Sequence, residues 1–329
     1  MDKINLFWLV YKNLEKELLK LSEYINFSDD QTKVYSMHIA DLIVRCSIEI
    51  EAISKEMYIQ EGGDTDLFDK DGKNRDLYFD TDCINLLEQK WNLSKKKIIV
   101  SASEFYFLTE SNRKLNPLYK ADKRGSSGSK WKKAYQAVKH NRKDSIKMGN
   151  IENLIDAMGA LYILNLYYKD EIFNLGRVYL SNIEFDKRVG SDIFSIFTYI
   201  ATSLSMSRHM DDNSILPLID NDLDKSIYII KYDDYSFKKM SSDSYKDNII
   251  NYNNFRNTPI VKKFFEENPN YQFESINKTC GDIGDPSLST SIMSFNNSEN
   301  GNIYLKKEAK INKNSAIYPV VSFPKISNY

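Results

Sequence analysis

The segment IENLIDAMGALYILNLYYKDEIFN, residues 151–174, decides the fold class, because it predicts one long and almost wholly apolar helix. Its apolar side chains recur at three- and four-residue steps, which is the spacing of one helical face. The residues of this stripe are Ile151, Leu154, Ile155, Met158, Leu161 and Tyr162. From Ala157 onward the segment is apolar nearly all round, so neighbouring helices must cover it. We therefore place this helix at the centre of a bundle, after a break at Gly149-Asn150.

Four further helices are predicted on the N-terminal side of this segment. Residues 3–24 are amphipathic, and so are residues 32–60, which end at Gly62-Gly63 and have Asp29 or Asp30 as a candidate cap. The buried face of the second helix consists of Ile39, Leu42, Cys46, Ile50, Ile53 and Met57. Shorter helices are predicted over 80–92 and 131–143. The fold class is mainly α, with a bundle of four to five helices in residues 1–178.

Residues 179–329 have a weaker pattern, which predicts a smaller mixed α+β domain. Residues 192–204 suit either a helix or a strand, whereas KSIYIIKYDD (225–234) favours a strand. Pro259 is at a position that suits the first turn of a short helix. Two more strands are predicted in NIYLKKEAKI (302–311) and SAIYPVVSF (315–323), and KKIIVSASEFYFL (96–108) is β-prone.

Charge and cysteine content narrow the class of protein. The chain has 45 Lys and Arg against 46 Asp and Glu, so any contact with a polyanion must come from a local basic patch. Cys46, Cys83 and Cys280 are far apart and form no CxxC, which predicts reduced, buried thiols. The sequence shows neither a signal peptide nor an apolar run long enough to cross a bilayer. We expect a cytoplasmic protein that does not insert into membranes.

The segment WKKAYQAVKHNRKDSIK (131–147) concentrates positive charge and aromatic rings. Residues 120–147 include ten Lys and Arg but only two acidic residues. Cations can contact the phosphates of RNA, and rings can stack on its bases. The candidate RNA- or phosphate-binding residues are Lys132, Lys133, Tyr135, Lys139 and Lys143. The other interpretation is structural: Trp131, Tyr135, Val138 and Arg142 fall on one helical stripe, and burial of the two rings against a neighbouring helix is favoured.

His140 and Arg142 are the candidate catalytic residues, because His suits proton transfer near neutral pH and Arg suits phosphate binding. On a regular helix the two side chains point about 160° apart. They could act together only if the helix ends near Asn141 or if a second subunit contributes one of them, which favours a homodimer. Arg45 and Glu49 form a candidate supporting pair, with Glu49 either bonded to Arg45 or orienting the 139–142 segment.

Other motifs are weak, and we expect no cofactor and no metal. HExxH, GxSxG, GxGxxG and the P-loop are absent, and GSSGSK (125–130) lacks the Gly-Lys-Ser/Thr ending of a P-loop, so a flexible loop is favoured. His209 and Asp211 in SRHMDD could ligate a divalent ion, but a solvated acidic loop explains them better. GDIGDP (281–286) is typical of a turn.

A helical bundle with a polar His/Arg motif before a long apolar last helix resembles the HEPN superfamily. The resemblance covers about residues 1–175 and depends on this layout together with KHNR (139–142). It implies an RNA- or nucleotide-binding helical domain, as in ribonucleases of toxin–antitoxin and antiviral defence systems. The nuclease members place Arg before His, whereas Arg142 here follows His140, and Lys132 and Lys133 stand where the family has that Arg.

Two functional hypotheses follow. The first is an RNA-binding protein or metal-independent endoribonuclease of bacterial antiviral defence, with His140 as general acid/base and Arg142 on the phosphate. The second is a non-enzymatic adaptor, sensor or neutralising partner of another protein, because no catalytic motif is complete. A metal-dependent hydrolase built on His209 and Asp211 ranks below both.

Overall fold

The structure is a computed structural model that describes residues 5–177, 184–201, 223–289 and 305–321. The chain forms two compact units. The first comprises Met1–Phe173, Glu184–Lys231 and Ala309–Ser315, and the second comprises Asn174–Ile183, Tyr232–Glu308 and Ala316–Tyr329. The described residues are mainly helical with two small sheets, which confirms the predicted fold class.

The helical bundle lies in the first unit. Its main helices are α1 (Leu6–Ser22), α2 (Met37–Gln60), α3 (Asn85–Trp91), α5 (Lys130–His140) and α7 (Ile151–Lys169), and α4 (Glu110–Arg113) and α6 (Arg142–Ser145) are single turns. Helix α7 packs against α1, α2 and α5. Every residue from Ala157 to Tyr167 is buried, so α7 is the central helix that the sequence predicts.

The N-terminus of α2 differs from the prediction. Ser36, not Asp29 or Asp30, caps the helix, because its side chain accepts a hydrogen bond of 3.1 Å from the backbone N–H of Ile39. Asp29 instead accepts hydrogen bonds from the backbone N–H groups of Leu108 and Thr109, both at 2.9 Å. The backbone of residues 32–36 forms hydrogen bonds with residues 149–152 and so lies outside the helix, which places the N-cap at Ser36.

The described strands form two small sheets. In the first, β1 (Ile98–Val100) pairs antiparallel with both β2 (Lys114–Leu115) and β4 (Phe194–Ile196). Strand β1 packs closely on α7 at Gly159. A Cβ atom added at this glycine would lie only 2.6 Å from Cδ1 of Ile98. The second sheet has the order β3 (Phe173–Gly176), β7 (Lys307–Ile311), β6 (Tyr228–Tyr232), β5 (Thr198–Ile200). Strands β5 and β6 are parallel, with Thr198 opposite Tyr228.

The strand predictions are partly confirmed. The ambiguous segment 192–204 forms β4 and β5 up to residue 200, and the predicted strands in 225–234 and 302–311 are present as β6 and β7. The β-prone segment 96–108 has only three residues in a strand. The predicted strand over 315–323 is wrong for residues 315–321, which are irregular.

A buried carboxylate connects α1 to the segment before β4. Glu15 is fully buried, and its Oε1 accepts hydrogen bonds from the hydroxyl groups of Tyr11 and Ser191 at 2.8 and 2.6 Å. The backbone N–H of Asp192 donates to the same oxygen at 3.0 Å, and Lys12 forms a salt bridge with the other carboxylate oxygen. Burial of this charge is tolerated because its lone pairs are satisfied.

The second unit contains three described helices: α8 (Asp234–Asn257), α9 (Pro259–Glu267) and α10 (Ile276–Ile283). Pro259 is in the first turn of α9, as predicted. A small core forms around Phe255, Val261 and Cys280. The predicted turn GDIGDP overlaps the end of α10, where Gly284 adopts φ +87°, a conformation that favours glycine.

The three cysteines are free and buried, as the sequence predicts. Within the described ranges, no helix has both the length and the apolarity needed to cross a membrane.

Candidate functional site

Helix α5 carries the basic and aromatic segment, and its apolar stripe faces the core. Trp131, Tyr135 and Val138 are all buried, and Nε1 of Trp131 donates a hydrogen bond of 3.0 Å to the carbonyl of Pro117. The Tyr135 ring is therefore part of the core, as the structural interpretation expects. Its hydroxyl oxygen accepts a hydrogen bond of 3.2 Å from Nζ of Lys139.

Lys132 is a candidate phosphate-binding residue in the sequence, but its side chain points inward and is buried. Its Nζ lies 3.1 Å from Oδ2 of Asp80 and donates hydrogen bonds to the carbonyls of Ala121 and Lys123. Asp80 belongs to a π-helical turn, Phe79–Ile84, that leads into α3. The buried ammonium group thus fixes the 121–123 backbone against this turn, next to the glycine-containing loop 125–129.

Asp80 also binds Arg124, whose Nε lies 2.9 Å from Oδ1 of the carboxylate. Burial disfavours the charged form of Asp80, but the backbone N–H of Thr81, together with Lys132 and Arg124, outweighs burial and holds its pKa below the ordinary value. The guanidinium group of Arg124 stacks on the ring of Tyr78, with its central carbon 3.7 Å from the ring centroid. An ionised Asp80 therefore positions a cation and an aromatic ring together.

This cation and ring line a cleft of about 770 Å³, which we call the Arg124 cleft. Its wall combines basic, acidic and aromatic side chains. The lining residues are Glu51, Lys55, Asp76, Leu77, Tyr78, Phe79, Asp80, Arg124, Gly125, Ser126, Lys132, Lys133 and Gln136. Lys55 and Lys133 are exposed and form no ion pair with any described residue, so their charges are available to a ligand.

A second cleft of about 450 Å³ lies on the other side of the 125–129 loop, and we call it the Ser129 cleft. Its lining is rich in lysine and hydroxyl groups, with Asp156 as its single acidic residue. The lining residues are Ser111, Lys114, Leu115, Asn116, Tyr119, Lys120, Ser126, Ser127, Gly128, Ser129, Lys130, Lys133 and Asp156. Ser126 and Lys133 line both clefts, so the two are adjacent.

Asp156 is an acidic side chain within the mostly apolar helix α7. Burial raises its pKa to about 7, although the charge of Lys130 and a hydrogen bond from the backbone N–H of Trp131 oppose the shift. The hydrogen bond places the carboxyl group at the N-terminus of α5. Near neutral pH this group can therefore gain or lose a proton inside the Ser129 cleft.

His140 and Arg142 lie at the opposite end of α5 and line neither cleft. Helix α5 ends at His140, and Asn141 is not helical (φ −142°, ψ 61°). The two side chains are therefore not held at the positions that a regular helix would impose. Nε2 of His140 lies 3.1 Å from the side-chain oxygen of Gln136, and Nη1 of Arg142 forms a salt bridge of 3.0 Å with Asp41 of α2.

The remaining predicted residues are distributed around α5 and α2. Lys133 belongs to both clefts, whereas Lys143 is exposed and lines neither. Arg45 is exposed, and Glu49 is partly buried. Burial raises the pKa of Glu49, and the nearby charge of Arg45 opposes this shift. No ion pair joins Glu49 to Lys139, His140 or Arg142, all of which are described.

The SRHMDD motif with His209 and Asp211 lies outside the described residues. Among those that are described, no group of three or more His, Cys, Asp and Glu side chains is arranged to hold a metal ion.

Several residues of the clefts escaped sequence analysis, notably Asp80, Asn116, Arg124, Ser129 and Asp156. A signal for Asp156 was present, because a carboxylate in a helix that is apolar nearly all round needs a specific environment. The glycine and serine residues of 125–129 directly precede a basic helix, which is a signal for anion binding at a helix N-terminus. Asp80 and Asn116 gave no such signal.

Comparisons of the chain with protein-family models, with curated proteins and with solved structures found no match.

Proposed function

We propose that this protein binds single-stranded RNA on the surface where the Arg124 cleft and the Ser129 cleft meet. The observation that carries the proposal is the position of Lys133, an exposed lysine that lines both clefts and forms no ion pair with a described residue. A strand that passes over Lys133 would have cations on either side of it.

Each of the two clefts contains a cation paired with an aromatic ring. Arg124 stacks on Tyr78 in one cleft, and Lys120 lies over the ring of Tyr119 in the other, with Nζ 5.2 Å from the ring centroid. Single-stranded nucleic acids bind to such surfaces because phosphates attract the cations and bases stack on the rings. The rings that support the proposal are thus Tyr78 and Tyr119, rather than the buried Tyr135.

The resemblance of the helical layout to HEPN domains favours RNA over DNA as the ligand. The proposal places the protein in the cytoplasm, where RNA is present and thiols stay reduced. The predicted homodimer stays a prediction.

The test is fluorescence anisotropy with a labelled single-stranded RNA of about 15 nucleotides. The double variant Lys55→Gln/Lys133→Gln should bind at least about tenfold more weakly, because each lysine contributes a phosphate contact. The matched control is Lys16→Gln/Lys70→Gln, which removes two exposed lysines outside both clefts and should bind as the wild type does. Absence of binding by the wild type, or equal losses in the two variants, would reject the proposal and favour the adaptor or sensor hypothesis.

Metal-independent RNA cleavage is a second candidate function, and the end of α5 at His140 favours it. The break at Asn141 removes the geometric objection to joint action by His140 and Arg142. His140 would act as general acid/base on the ribose 2′-OH, and Arg142 would leave Asp41 to bind the phosphate. Cleavage that persists in EDTA and is lost in His140→Ala supports this function. RNA that stays intact, or cleavage that His140→Ala leaves unchanged, rejects it.

A further inference from the structure

Two buried polar atoms in the Ser129 cleft have no hydrogen-bond partner among the described residues. They are the hydroxyl oxygen of Ser129, a residue that is only 5% exposed, and the side-chain oxygen of Asn116. Native proteins rarely leave buried polar atoms unpaired, and a specific exception calls for a ligand or an ordered water. Both residues line the same cleft, so one ligand could satisfy both atoms.

The Ser129 hydroxyl lies at the N-terminus of α5, an 11-residue helix. Ser129 is the N-cap residue, yet its side chain makes no capping hydrogen bond to the helix. The N–H groups of a first helical turn point out of the helix end and attract anions; here the N–H of Trp131 donates to Asp156, and the Ser129 hydroxyl beside it has no partner. An unused hydroxyl donor at such an end is suited to an anionic oxygen.

The charges around the cleft favour the same kind of ligand. Lys120 and Lys133 form no ion pair with a described residue, whereas Lys114 and Lys130 are paired with Glu110 and Glu152. Asp156 is the only acidic residue in the lining. Two ammonium groups without a carboxylate partner therefore remain to neutralise an ion with a charge of about −2, as carried by a phosphate monoester.

The unpaired oxygen of Asn116 is an acceptor, which inorganic anions satisfy poorly. A ribose hydroxyl can donate to it. Tyr119 borders the cleft with 55% of its surface exposed, so a base can stack on the part of its ring that Lys120 leaves uncovered. The cleft thus offers one site for each part of a nucleotide.

We propose that the Ser129 cleft binds a nucleotide phosphate monoester, with the phosphate on Ser129 and the first turn of α5. Lys120 and Lys133 neutralise the phosphate, the ribose hydroxyl donates to Asn116, and the base stacks on Tyr119. The ligand is either the terminal phosphate of an RNA strand, which would deepen the proposed RNA binding, or a free nucleotide, which would not depend on it.

The test is isothermal titration calorimetry of the full chain with adenosine 5′-monophosphate (AMP), with adenosine as the ligand that lacks the phosphate. We expect AMP to bind at least about tenfold more tightly than adenosine. Ser129→Ala and Lys133→Gln should each weaken AMP binding about tenfold, and Lys16→Gln should leave it unchanged. Ser129→Ala removes no capping bond, and Lys133 is exposed, so both variants should fold; their melting temperatures verify this.

A second arm compares a single-stranded RNA with a 5′-phosphate, a 3′-phosphate or hydroxyl groups at both ends. Preference for a phosphorylated end identifies the strand terminus as the source, and no preference combined with AMP binding identifies the free nucleotide. AMP binding without any RNA binding would reject the proposed function while supporting this site. Any one of three results would overturn the proposal. In the first, AMP does not bind and the protein prefers no phosphorylated RNA end; in the second, adenosine binds as tightly as AMP. In the third, Ser129→Ala keeps the wild-type affinity for AMP.

Discussion

Nζ of Lys132 lies 3.1 Å from Oδ2 of Asp80, and both side chains are almost completely excluded from solvent. This contact distinguishes Lys132 from the other lysines of α5, because its buried ammonium group stabilises the fold and is not available to a ligand. The same carboxylate binds Arg124 on its exposed side. Asp80 therefore connects the packing of α5 to the position of the cation in the Arg124 cleft.

Removal of one partner from this buried pair should be strongly destabilising. Asp80→Ala leaves the ammonium group of Lys132 buried without a counter-charge, which costs about 3 kcal/mol of unfolding free energy. Urea denaturation measures the loss. The control is Lys133→Met, one residue further along α5, whose side chain is exposed and whose effect should stay within about 0.5 kcal/mol. Similar losses in both variants would show that the pair has no special role.

Asp156 should make stability depend on pH. Its raised pKa of about 7 means that the folded protein binds this proton more tightly than the unfolded chain does. Its contribution to stability is therefore full below about pH 4, declines as pH rises to about 7, and is constant above that. Asp156→Asn removes this titration. The unfolding free energy of the variant minus that of the wild type should therefore be about 2 kcal/mol larger at pH 8 than at pH 5.

Urea denaturation of both proteins at the two pH values measures the effect of Asp156. The comparison with Asp156→Asn cancels the titration of the other carboxylates, such as Glu49, whose pKa burial also raises. A stability difference that is the same at pH 5 and pH 8 would show that Asp156 titrates normally.

The salt dependence of RNA binding should reveal the phosphate contact of Lys133. For a single strand, each neutralised phosphate adds about 0.7 to the slope of log affinity against log salt. Lys133→Gln should lower that slope by about 0.7, and by a similar amount for RNAs of different sequence. Anisotropy titrations at four salt concentrations provide the slope, and Lys16→Gln is the matched control. An unchanged slope would mean that Lys133 contacts no phosphate.

The cap of α2 provides a direct test of the corrected helix start. Ser36→Ala removes the hydrogen bond to the N–H of Ile39 and should cost about 1 kcal/mol of unfolding free energy. Asp30→Ala, at a position that the sequence suggests as the cap, should stay within about 0.5 kcal/mol. Chemical denaturation distinguishes the two, and a larger loss in Asp30→Ala would contradict the observed cap.

The sequence was sufficient to predict the helical bundle, because a helix that packs on its neighbours has apolar side chains at regular spacing. The apolar run of α7 predicted a central helix, and every residue from 157 to 167 is buried. The stripe in α5 likewise predicted the burial of Trp131 and Tyr135. Boundaries were less accurate: the predicted start of α2 at residue 32 is five residues early, because the backbone of residues 32–36 forms hydrogen bonds with residues 149–152.

By itself, the sequence determined which segments form the main helices of the first unit and which helix is central, since these follow from side-chain periodicity within one segment. Only the tertiary structure decided which lysine of α5 is buried, because the choice depends on Asp80, which lies 52 residues away along the chain. The Ser129 cleft has the same origin: Asn116, Ser129 and Asp156 come from separate segments. Their proximity is set by the packing of α5 against α7 and by the contacts of Pro117 with Trp131 and Gly159, which no local pattern encodes.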